Sequence, residues 1–326
     1  MFLDKLNVFE KICIQCHDNP DGDSLAAGYG LYTYFKKMGK EVRLVYSGAS
    51  QISKPALKLM VERLDIPIEY ISDAPDCDVL ITADCQYAGG NITVFPAPKV
   101  AMVDHHPVCV PVDEWCCIME EYGSCCTVVW ELMREAGFDI NGDWKLATAL
   151  FYGLYTDTGH LSEIYHKADR EMRDFLKIDR PVLDCMINSN ITQKELRIAG
   201  EALSDYYYNE DYHFAVFHTE PCDPNLLGLI SDLGIQVHHI DLCVVYCETP
   251  IGYKFSVRSN MNEAYASQLA VFLSKGLGSG GGHLNKAGGV LLKHRLRTIQ
   301  TETEIEMIIR EKILDFERKA REEGKD

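Results

Sequence analysis

The first 180 residues alternate short β-rich runs with stretches of helical periodicity, and this alternation limits the fold more than any other feature of the chain. The β-rich runs are KICIQC, EVRLVY, DVLITAD, KVAMVDHH and WCCIME. The helical stretches include DSLAAGYGLYTYFKKMG, SKPALKLMVERL, SCCTVVWELMREAG and GDWKLATALFYGLYTDTG. Such alternation favours a doubly wound, mainly parallel sheet with helices on both faces. We therefore predict an α/β domain over residues 1–180, in which Asp23 or Ser24 caps the first long helix.

A second region follows a change in composition near residue 180. Residues 181–205 are polar and have helical periodicity, which indicates a connector helix. Residues 206–326 contain further β-rich runs (YHFAVFH, DLCVVYCE, YKFSVRS and AGGVLL) and a glycine-rich stretch, GLGSGGGH, which we interpret as a loop. These runs predict a smaller α/β domain at the C-terminus, and a length of 326 residues suits two domains.

Composition narrows the class of protein. The formal net charge is −17, so the chain shows no basic face for long nucleic acid, and any anionic substrate should be small. No run of 18 or more apolar residues suggests a membrane span, and the start does not resemble a signal peptide. Thirteen cysteines scattered through apolar runs suit a reducing compartment better than a disulfide framework. We expect a cytoplasmic protein that binds neither membranes nor long nucleic acid.

Acidic and histidine residues recur where predicted strands or helices end. They lie in HDNPDGDS (residues 17–24), at the end of VLITAD, in VDHHP and in YTDTG. Because the carboxyl ends of parallel strands meet at one edge of a sheet, these groups can converge. These motifs contain more carboxylates than imidazoles, and such a set suits a pair of octahedral ions, Mn²⁺ or Mg²⁺, better than zinc. Two such ions about 3.5–4 Å apart can clamp the oxygens of a phosphoryl transfer and generate a hydroxide nucleophile.

These four motifs, in this order, resemble those of the DHH phosphoesterase superfamily. The later stretches SVRSN and GSGGGHLNKAGG resemble its DHH-associated domain. The most similar subgroup includes nanoRNases, 3′-phosphoadenosine 5′-phosphate phosphatases and dinucleotide hydrolases. The resemblance spans nearly the whole chain and implies an active site in the cleft between the two domains.

The resemblance also implies a ligand set for two divalent ions, with Mn²⁺ preferred over Mg²⁺. The first ion would be held by His17, Asp21 and Asp84. The second ion would be held by Asp23, Asp84, His105 and Asp157, so that Asp84 bridges the two.

Other matched positions would act on the substrate. His106 would lie beside the ions and hydrogen-bond the scissile phosphate or leaving oxygen, and Asp104 would orient a histidine. In the second domain, the residues expected to contact the substrate are Arg258, Ser259, Gly280, Gly281, Gly282 and His283. A guanidinium fork can grip two phosphate oxygens, and glycines let backbone N–H groups approach an anion. Leu284 and Lys286 depart from the family pattern at positions that could seat a base or sugar.

The implied activity is a metal-dependent phosphoesterase in which a hydroxide activated by two metals attacks phosphorus. Its substrate would be a short RNA, a linear dinucleotide or 3′-phosphoadenosine 5′-phosphate. Three alternatives stay open: a catalytically silent nucleotide-binding regulator, a single-strand exonuclease and a pyrophosphatase. The sequence does not rank the substrates, choose between Mn²⁺ and Mg²⁺, or fix the oligomeric state, although two exposed sheets are compatible with a homodimer.

Overall fold

The computed structural model describes residues 1–261, 265–296 and 302–323, and the chain forms two compact units. Unit 1 is Met1–Asn190 and unit 2 is Ile191–Asp326. The stretch predicted as one connector helix holds two helices, α7 (Arg180–Ile187) and α8 (Gln193–Ser204), one in each unit. Among the described residues, no helix combines the length and apolar character needed to cross a bilayer.

Unit 1 contains a six-stranded sheet in which every pairing is parallel, in the order β3-β2-β1-β4-β5-β6. The strands are β1 (Lys11–Cys16), β2 (Glu41–Tyr46), β3 (Ile68–Tyr70), β4 (Val79–Ala83), β5 (Val100–Asp104) and β6 (Cys116–Ile118). The chain moves outward from β1 in both directions, as in doubly wound folds. The predicted fold class of this region is confirmed.

The helices of unit 1 pack around this sheet. In addition to α7 they are α1 (Phe2–Leu6), α2 (Gly22–Lys37), α3 (Pro55–Arg63), α4 (Cys125–Glu135), α5 (Trp144–Asp157) and α6 (Lys167–Phe175). Helix α2 is buried along most of its length and lies against α4 and α5. Gly153 permits this approach, because a Cβ there would collide with the Cys126 sulfur and lie 3.1 Å from the Cα of Asp23.

The cap of α2 differs from the prediction. Asp21, not Asp23 or Ser24, is the N-cap residue, and its carboxylate accepts the backbone N–H groups of Asp23 and Ser24. Asp21 has extended backbone angles, whereas Asp23 and Ser24 lie within the first turn. The difference matters for function because the capping carboxylate also points to the edge of the sheet where the histidines lie.

Unit 2 contains a second six-stranded sheet, in the order β11-β12-β10-β9-β8-β7. Its strands are β7 (Tyr206–Asn209), β8 (Phe214–Thr219), β9 (Leu242–Thr249), β10 (Gly252–Ser259), β11 (Gly278–Gly282) and β12 (Lys286–Leu292). Only β8 and β9 pair in parallel, and the other pairings are antiparallel. In addition to α8, the helices are α9 (Pro224–Gly234), α10 (Tyr265–Ser274) and α11 (Glu302–Glu323).

The glycine-rich stretch is a strand and not the predicted loop. Residues Gly278–Gly282 form β11, which pairs with β12 as the edge of the sheet. A Cβ at Gly280 would lie 2.5 Å from the carbonyl oxygen of Ala270 in α10, so glycine allows the helix to lie close to the strand. A Cβ at Gly281 would meet nothing within 4 Å. Close helix packing therefore accounts for one of these glycines and not for the other.

Candidate metal centre

The candidate centre lies where three neighbouring strands of unit 1 end. His17 follows β1, Asp84 follows β4, and Asp104 closes β5 just before His105 and His106. Strand order places β1, β4 and β5 side by side, so their carboxyl ends meet at one edge. The first turn of α2 and the last residue of α5 supply further carboxylates at this edge: Asp21, Asp23 and Asp157.

One cluster consists of His17, Asp21 and Asp84. The Nε2 atom of His17 lies 3.7 Å from Oδ2 of Asp21 and 3.6 Å from Oδ2 of Asp84. The three residues can each place a ligand atom within 4.8 Å of the others. This spacing leaves room for a cation between the atoms.

A second cluster consists of Asp23, His105 and Asp157. The Nε2 atom of His105 lies 3.1 Å from Oδ2 of Asp157 and 3.8 Å from Oδ2 of Asp23. It also lies 3.5 Å from Oδ1 of Asp84. The carboxylate of Asp84 therefore turns Oδ2 to His17 and Oδ1 to His105, and its two oxygens face different clusters.

The ring orientations of the two histidines suit metal ligation. Nδ1 of His17 lies 2.9 Å from the carbonyl oxygen of Asp18, and Nδ1 of His105 lies 3.0 Å from the carbonyl oxygen of Tyr122. A carbonyl oxygen only accepts, so each Nδ1 carries the hydrogen and donates it. In its neutral form each ring would therefore direct the lone pair of Nε2 toward an ion between the carboxylates, in the arrangement typical of metal-ligating histidines.

Charge in the centre is not balanced by the protein itself. Burial raises the pKa of Asp84 to about 6, and burial together with the charges of Asp84 and Asp157 raises the pKa of Asp23 well above its usual range. Burial opposes a charge on His17 and His105, yet contacts with the neighbouring aspartates outweigh it and raise their pKa values to about 10 and about 12. These four shifts retain protons in the centre, whereas contact with His17 lowers the pKa of Asp21 despite burial. A cation would relieve the repulsion between the carboxylates.

Two buried atoms provide a direct test of whether a cation fits. Oδ1 of Asp84 and Nε2 of His105 have no hydrogen-bond partner of sound geometry among the described residues, although they face each other at 3.5 Å. Buried polar atoms are nearly always satisfied, and leaving one without a partner costs about 1–3 kcal/mol. Both atoms belong to preferred ligand types for Mn²⁺, so the donor set fits a divalent ion.

Asp104 holds the segment that carries the histidine pair. Its Oδ1 accepts the backbone N–H of His105 and Nδ1–H of His106, each at 2.8 Å. Its Oδ2 accepts the side-chain amide of Gln86 at 2.9 Å. Burial would raise the pKa of Asp104, but its hydrogen bond with His106 and the other donors lower it. Asp104 is therefore an ionised anchor for His106 and not part of either cluster.

Two features that support the centre were not predicted from the sequence. The carboxylate of Asp23 accepts the backbone N–H groups of Cys125 and Cys126 at 2.7 and 2.9 Å, at the start of α4. Gln86 lies two residues beyond Asp84 and binds the segment after β5. Ser124 before an apolar helix is a recognisable N-cap signal, but nothing in the sequence shows which carboxylate meets that helix terminus.

Asp84 has a backbone conformation that aspartate tolerates better than most residues. Its φ of 62° lies in the left-handed region. The turn directly after β4 places its buried carboxylate between the two histidines, whereas a continued strand would carry it onward along the sheet. Strained backbone of this kind concentrates at functional sites.

In unit 2, Arg258 is held by its own surroundings. Nε and Nη2 donate to Oδ1 and Oδ2 of Asp232 at 2.5 and 3.5 Å. Nη1 donates to the Ser256 hydroxyl and to the carbonyl oxygen of Val257, each at 3.1 Å. These bonds use four of the five N–H groups of a guanidinium. The side chain is 14% exposed.

The other predicted residues of unit 2 lie near strand ends. The hydroxyl of Ser259, at the end of β10, accepts the backbone N–H of Met261, and the residue is buried. His283 is exposed and begins the turn from β11 to β12, where its backbone N–H donates to the carbonyl oxygen of Lys286 at 2.7 Å. Gly280–Gly282 belong to the edge strand. The roles assigned to these residues stay predictions.

Comparison with known proteins places these features in a family. Residues 11–154 match the model of the DHH family, N-terminal domain. An uncharacterized protein of Methanocaldococcus jannaschii is 21% identical over 305 residues, which are 93% of this chain and 62% of that protein. The bifunctional oligoribonuclease and PAP phosphatase of Mycoplasma genitalium is 27% identical over 193 residues, 52% of this chain and 57% of that protein. The chain thus spans less than two thirds of the length of either relative.

A solved structure extends the similarity of fold to nearly the whole chain. An exopolyphosphatase-related protein from Bacteroides fragilis superposes with a TM-score of 0.75 at 19% identity, covering 97% of this chain and 96% of that one. The family match includes every residue of the two clusters except Asp157, which lies just beyond its last matched position. The match therefore shows a DHH-family N-terminal domain within unit 1, over residues 11–154.

Proposed function

We propose that the chain is a metal-dependent phosphoesterase that uses two divalent ions to hydrolyse short oligoribonucleotides or small nucleotides. One observation carries the proposal: the buried carboxylate of Asp84 turns one oxygen to His17 and the other to His105. A carboxylate that faces both ligand sets would let two closely spaced ions share its negative charge. The match of residues 11–154 to the DHH family, N-terminal domain, and the similarity to one bifunctional oligoribonuclease and PAP phosphatase support the same class of reaction.

The clusters divide into two ligand sets. His17, Asp21 and Asp84 would hold one ion, and the other would be held by Asp23, Asp84, His105 and Asp157. When bound, the ions supply positive charge to the phosphate oxygens and lower the pKa of the attacking water. Carboxylate oxygens with few imidazoles suit Mn²⁺, with Mg²⁺ as the alternative.

Residues of unit 1 would orient the reacting phosphate. Asp104 holds Nδ1–H of His106, so the other ring nitrogen, Nε2, is the atom that would donate to a phosphate or leaving oxygen. His106 is half exposed, as a group that contacts substrate must be. The backbone N–H groups of Cys125 and Cys126 hold Asp23 in place, so the second ligand set needs little reorganisation.

Residues of unit 2 would bind the rest of the substrate. The fixed fork of Arg258, with Ser259, Gly280, Gly281, Gly282 and His283, is our proposed phosphate-binding group. Because four guanidinium N–H groups already have partners, Arg258 must either use the remaining N–H or exchange Asp232 for the substrate. An active site between the two units, a cytoplasmic location and a homodimer stay predictions of the sequence.

The substrate class rests on charge and on similarity. A net charge of −17 disfavours long nucleic acid, and the Mycoplasma genitalium relative is named for oligoribonucleotides and PAP. A silent nucleotide-binding regulator, a single-strand exonuclease and a pyrophosphatase are the alternatives. A silent regulator has no need of a complete ligand set, and all six ligand side chains are present in the two clusters.

The test is a substrate panel with Mn²⁺ or Mg²⁺. Dinucleotides, RNA of two to five residues, 3′-phosphoadenosine 5′-phosphate and pyrophosphate are each incubated with the protein, and the products are separated. We expect mononucleotides or phosphate from the nucleotide substrates. Hydrolysis of pyrophosphate alone would favour the pyrophosphatase. Tight binding of a nucleotide without turnover would overturn the enzymatic proposal.

A further inference from the structure

Gln86 is a buried polar residue to which the reaction scheme gives no role. It is 3% exposed, and its Nε2 donates to Oδ2 of Asp104 at 2.9 Å and to the carbonyl oxygens of His106 and Pro107 at 3.3 and 3.1 Å. Its Oε1 accepts the backbone N–H of Cys109 at 2.8 Å. Because Nε2 only donates and Oε1 only accepts, this set of partners fixes the orientation of the amide. Gln86 thus binds both ends of the segment that follows β5.

The bond with Asp104 determines what that carboxylate can do. With Oδ2 held by Gln86, Oδ1 is directed at the backbone N–H of His105 and at Nδ1 of His106. Without the amide donor, the buried carboxylate would have an unsatisfied oxygen and could rotate to share its partners differently. The ring of His106 is 42% exposed, so packing alone does not fix it.

We propose that Gln86 is a positioning residue that sets the direction of Nε2 of His106, acting through Asp104. This inference rests on the proposed function, in which His106 contacts the reacting phosphate. None of the side-chain hydrogen bonds of Gln86 described above involves a predicted ligand of the ions. Its loss should therefore act on turnover more than on substrate binding.

The first test replaces Gln86 by leucine, which keeps the volume and removes both hydrogen-bonding groups. We expect kcat to fall about 10- to 100-fold, the range seen when a residue that orients a metal-ligating histidine is removed, with KM changed by less than about threefold. Gln86→Glu should reduce kcat further, because it places a second carboxylate beside Asp104. Gln86→Met, which keeps the chain length, replaces the leucine variant if that one does not fold.

The matched control is Gln15, a glutamine that is also fully buried in unit 1. Its Nε2 donates to the carbonyl oxygen of Thr93 at 2.8 Å, away from the segment after β5. Gln15→Leu makes the same chemical change and should leave kcat within about twofold of the original value. An equal loss of kcat in the two variants would show that any buried glutamine matters in this way and would overturn the proposal.

A double-mutant cycle tests whether Gln86 acts through His106. In the His106→Ala background, Gln86→Leu should lower kcat by less than about twofold, because the residue that it positions is gone. A full additional loss in that background would overturn the proposal. The cycle depends on hydrolysis by the unsubstituted protein. If that protein hydrolyses no substrate, the proposed function is wrong, and the role of Gln86 is then tested by NMR.

An NMR measurement that needs no turnover distinguishes failure of the proposed role of Gln86 from failure of the proposed function. In metal-free protein labelled with ¹⁵N-histidine, the Nδ1–H proton of His106 should be visible by NMR, because its bond with Asp104 slows exchange with water. The signal should disappear or broaden in Gln86→Leu and persist in Gln15→Leu. Persistence of the signal in Gln86→Leu would overturn the role of Gln86, whether or not the protein hydrolyses phosphoesters.

Discussion

Asp84 in unit 1 and Arg258 in unit 2 are both largely buried charged side chains near strand ends, yet their surroundings differ. Arg258 has a carboxylate, a hydroxyl and a carbonyl oxygen as partners, and four of its N–H groups are satisfied. Asp84 is 2% exposed, and its Oδ1 has no hydrogen-bond partner of sound geometry among the described residues. The protein thus satisfies most of the N–H groups of Arg258, whereas one carboxylate oxygen of Asp84 has no such partner.

This difference indicates how a buried charged side chain with a structural role can be distinguished from one that holds a bound ion. Burying an ionised group without a partner is expensive, so a fold tolerates it only where another species compensates. In unit 1 the compensating species would be a pair of cations. In unit 2 compensation is internal, so a ligand for Arg258 must use its one remaining N–H or compete with Asp232.

The largest effect should follow from Asp84→Asn. The amide lacks the charge that both clusters share, so we expect kcat to fall about 10³-fold or more, equivalent to about 4 kcal/mol. Elemental analysis should show fewer than two bound ions for each chain. The matched control is Asp241→Asn in unit 2, where the carboxylate also faces a histidine, at 3.1 Å from Nδ1 of His213. Full activity in Asp84→Asn would refute the two-ion scheme.

Metal addition should stabilise unit 1 and leave unit 2 unchanged. At a free Mn²⁺ concentration about 100 times Kd, each bound ion raises the free energy of unfolding by about 2.7 kcal/mol. Hydrogen exchange should therefore slow in β4 and β5 and not in β9 and β10. Equal slowing in both units, or in neither, would show that unit 1 does not use ions to balance its carboxylates.

The two units also differ in how much of their structure the sequence predicted. In unit 1 the strict alternation of strands and helices predicted the sheet, and strand ends brought the acidic motifs to one edge. The cap of α2 was wrong by two residues, because Asp21, Asp23 and Ser24 are all suitable capping residues and only the backbone angles decide. Gln86 could not be found, since its partners come from a different strand end and depend on tertiary structure.

Unit 2 was harder to predict because its sheet contains atypical residues. Strand β11 consists of glycine and serine, which local propensity assigns to loops, and it is a strand only because β12 pairs with it and α10 lies close to Gly280. Helix α9 was not predicted, although it carries the Asp232 that satisfies Arg258. A motif therefore identified Arg258 as a candidate, but the sequence did not show its partner.

A smaller effect on stability should distinguish alanine substitutions at two neighbouring glycines of β11. Gly280→Ala should destabilise unit 2 by about 1–3 kcal/mol, because the new Cβ would overlap the carbonyl oxygen of Ala270. Gly281→Ala should change the free energy of unfolding by less than about 0.5 kcal/mol, since a Cβ there meets nothing within 4 Å. Denaturant unfolding of both variants measures the difference. Equal destabilisation would mean that flexibility, not helix packing, explains the glycine run.

The smallest effect concerns the pair between Arg258 and Asp232. If substrate phosphate must displace Asp232, then Asp232→Asn removes a competitor for the guanidinium and should lower KM about threefold. That corresponds to about 0.7 kcal/mol, within the range for an ion pair whose carboxylate is 46% exposed. Arg258→Ala provides the reference and should raise KM about tenfold with kcat nearly unchanged.

The direction of the change in KM decides between two roles for Asp232. A carboxylate that competes with substrate lowers KM when it is removed, whereas a carboxylate that positions the guanidinium raises KM, as Arg258→Ala does. A rise in KM in Asp232→Asn would contradict the competition that we expect. Arg258 would then act like Asp104 in unit 1, as a charge fixed by its neighbours before substrate arrives, and the contrast between the two units would lie in the ions alone.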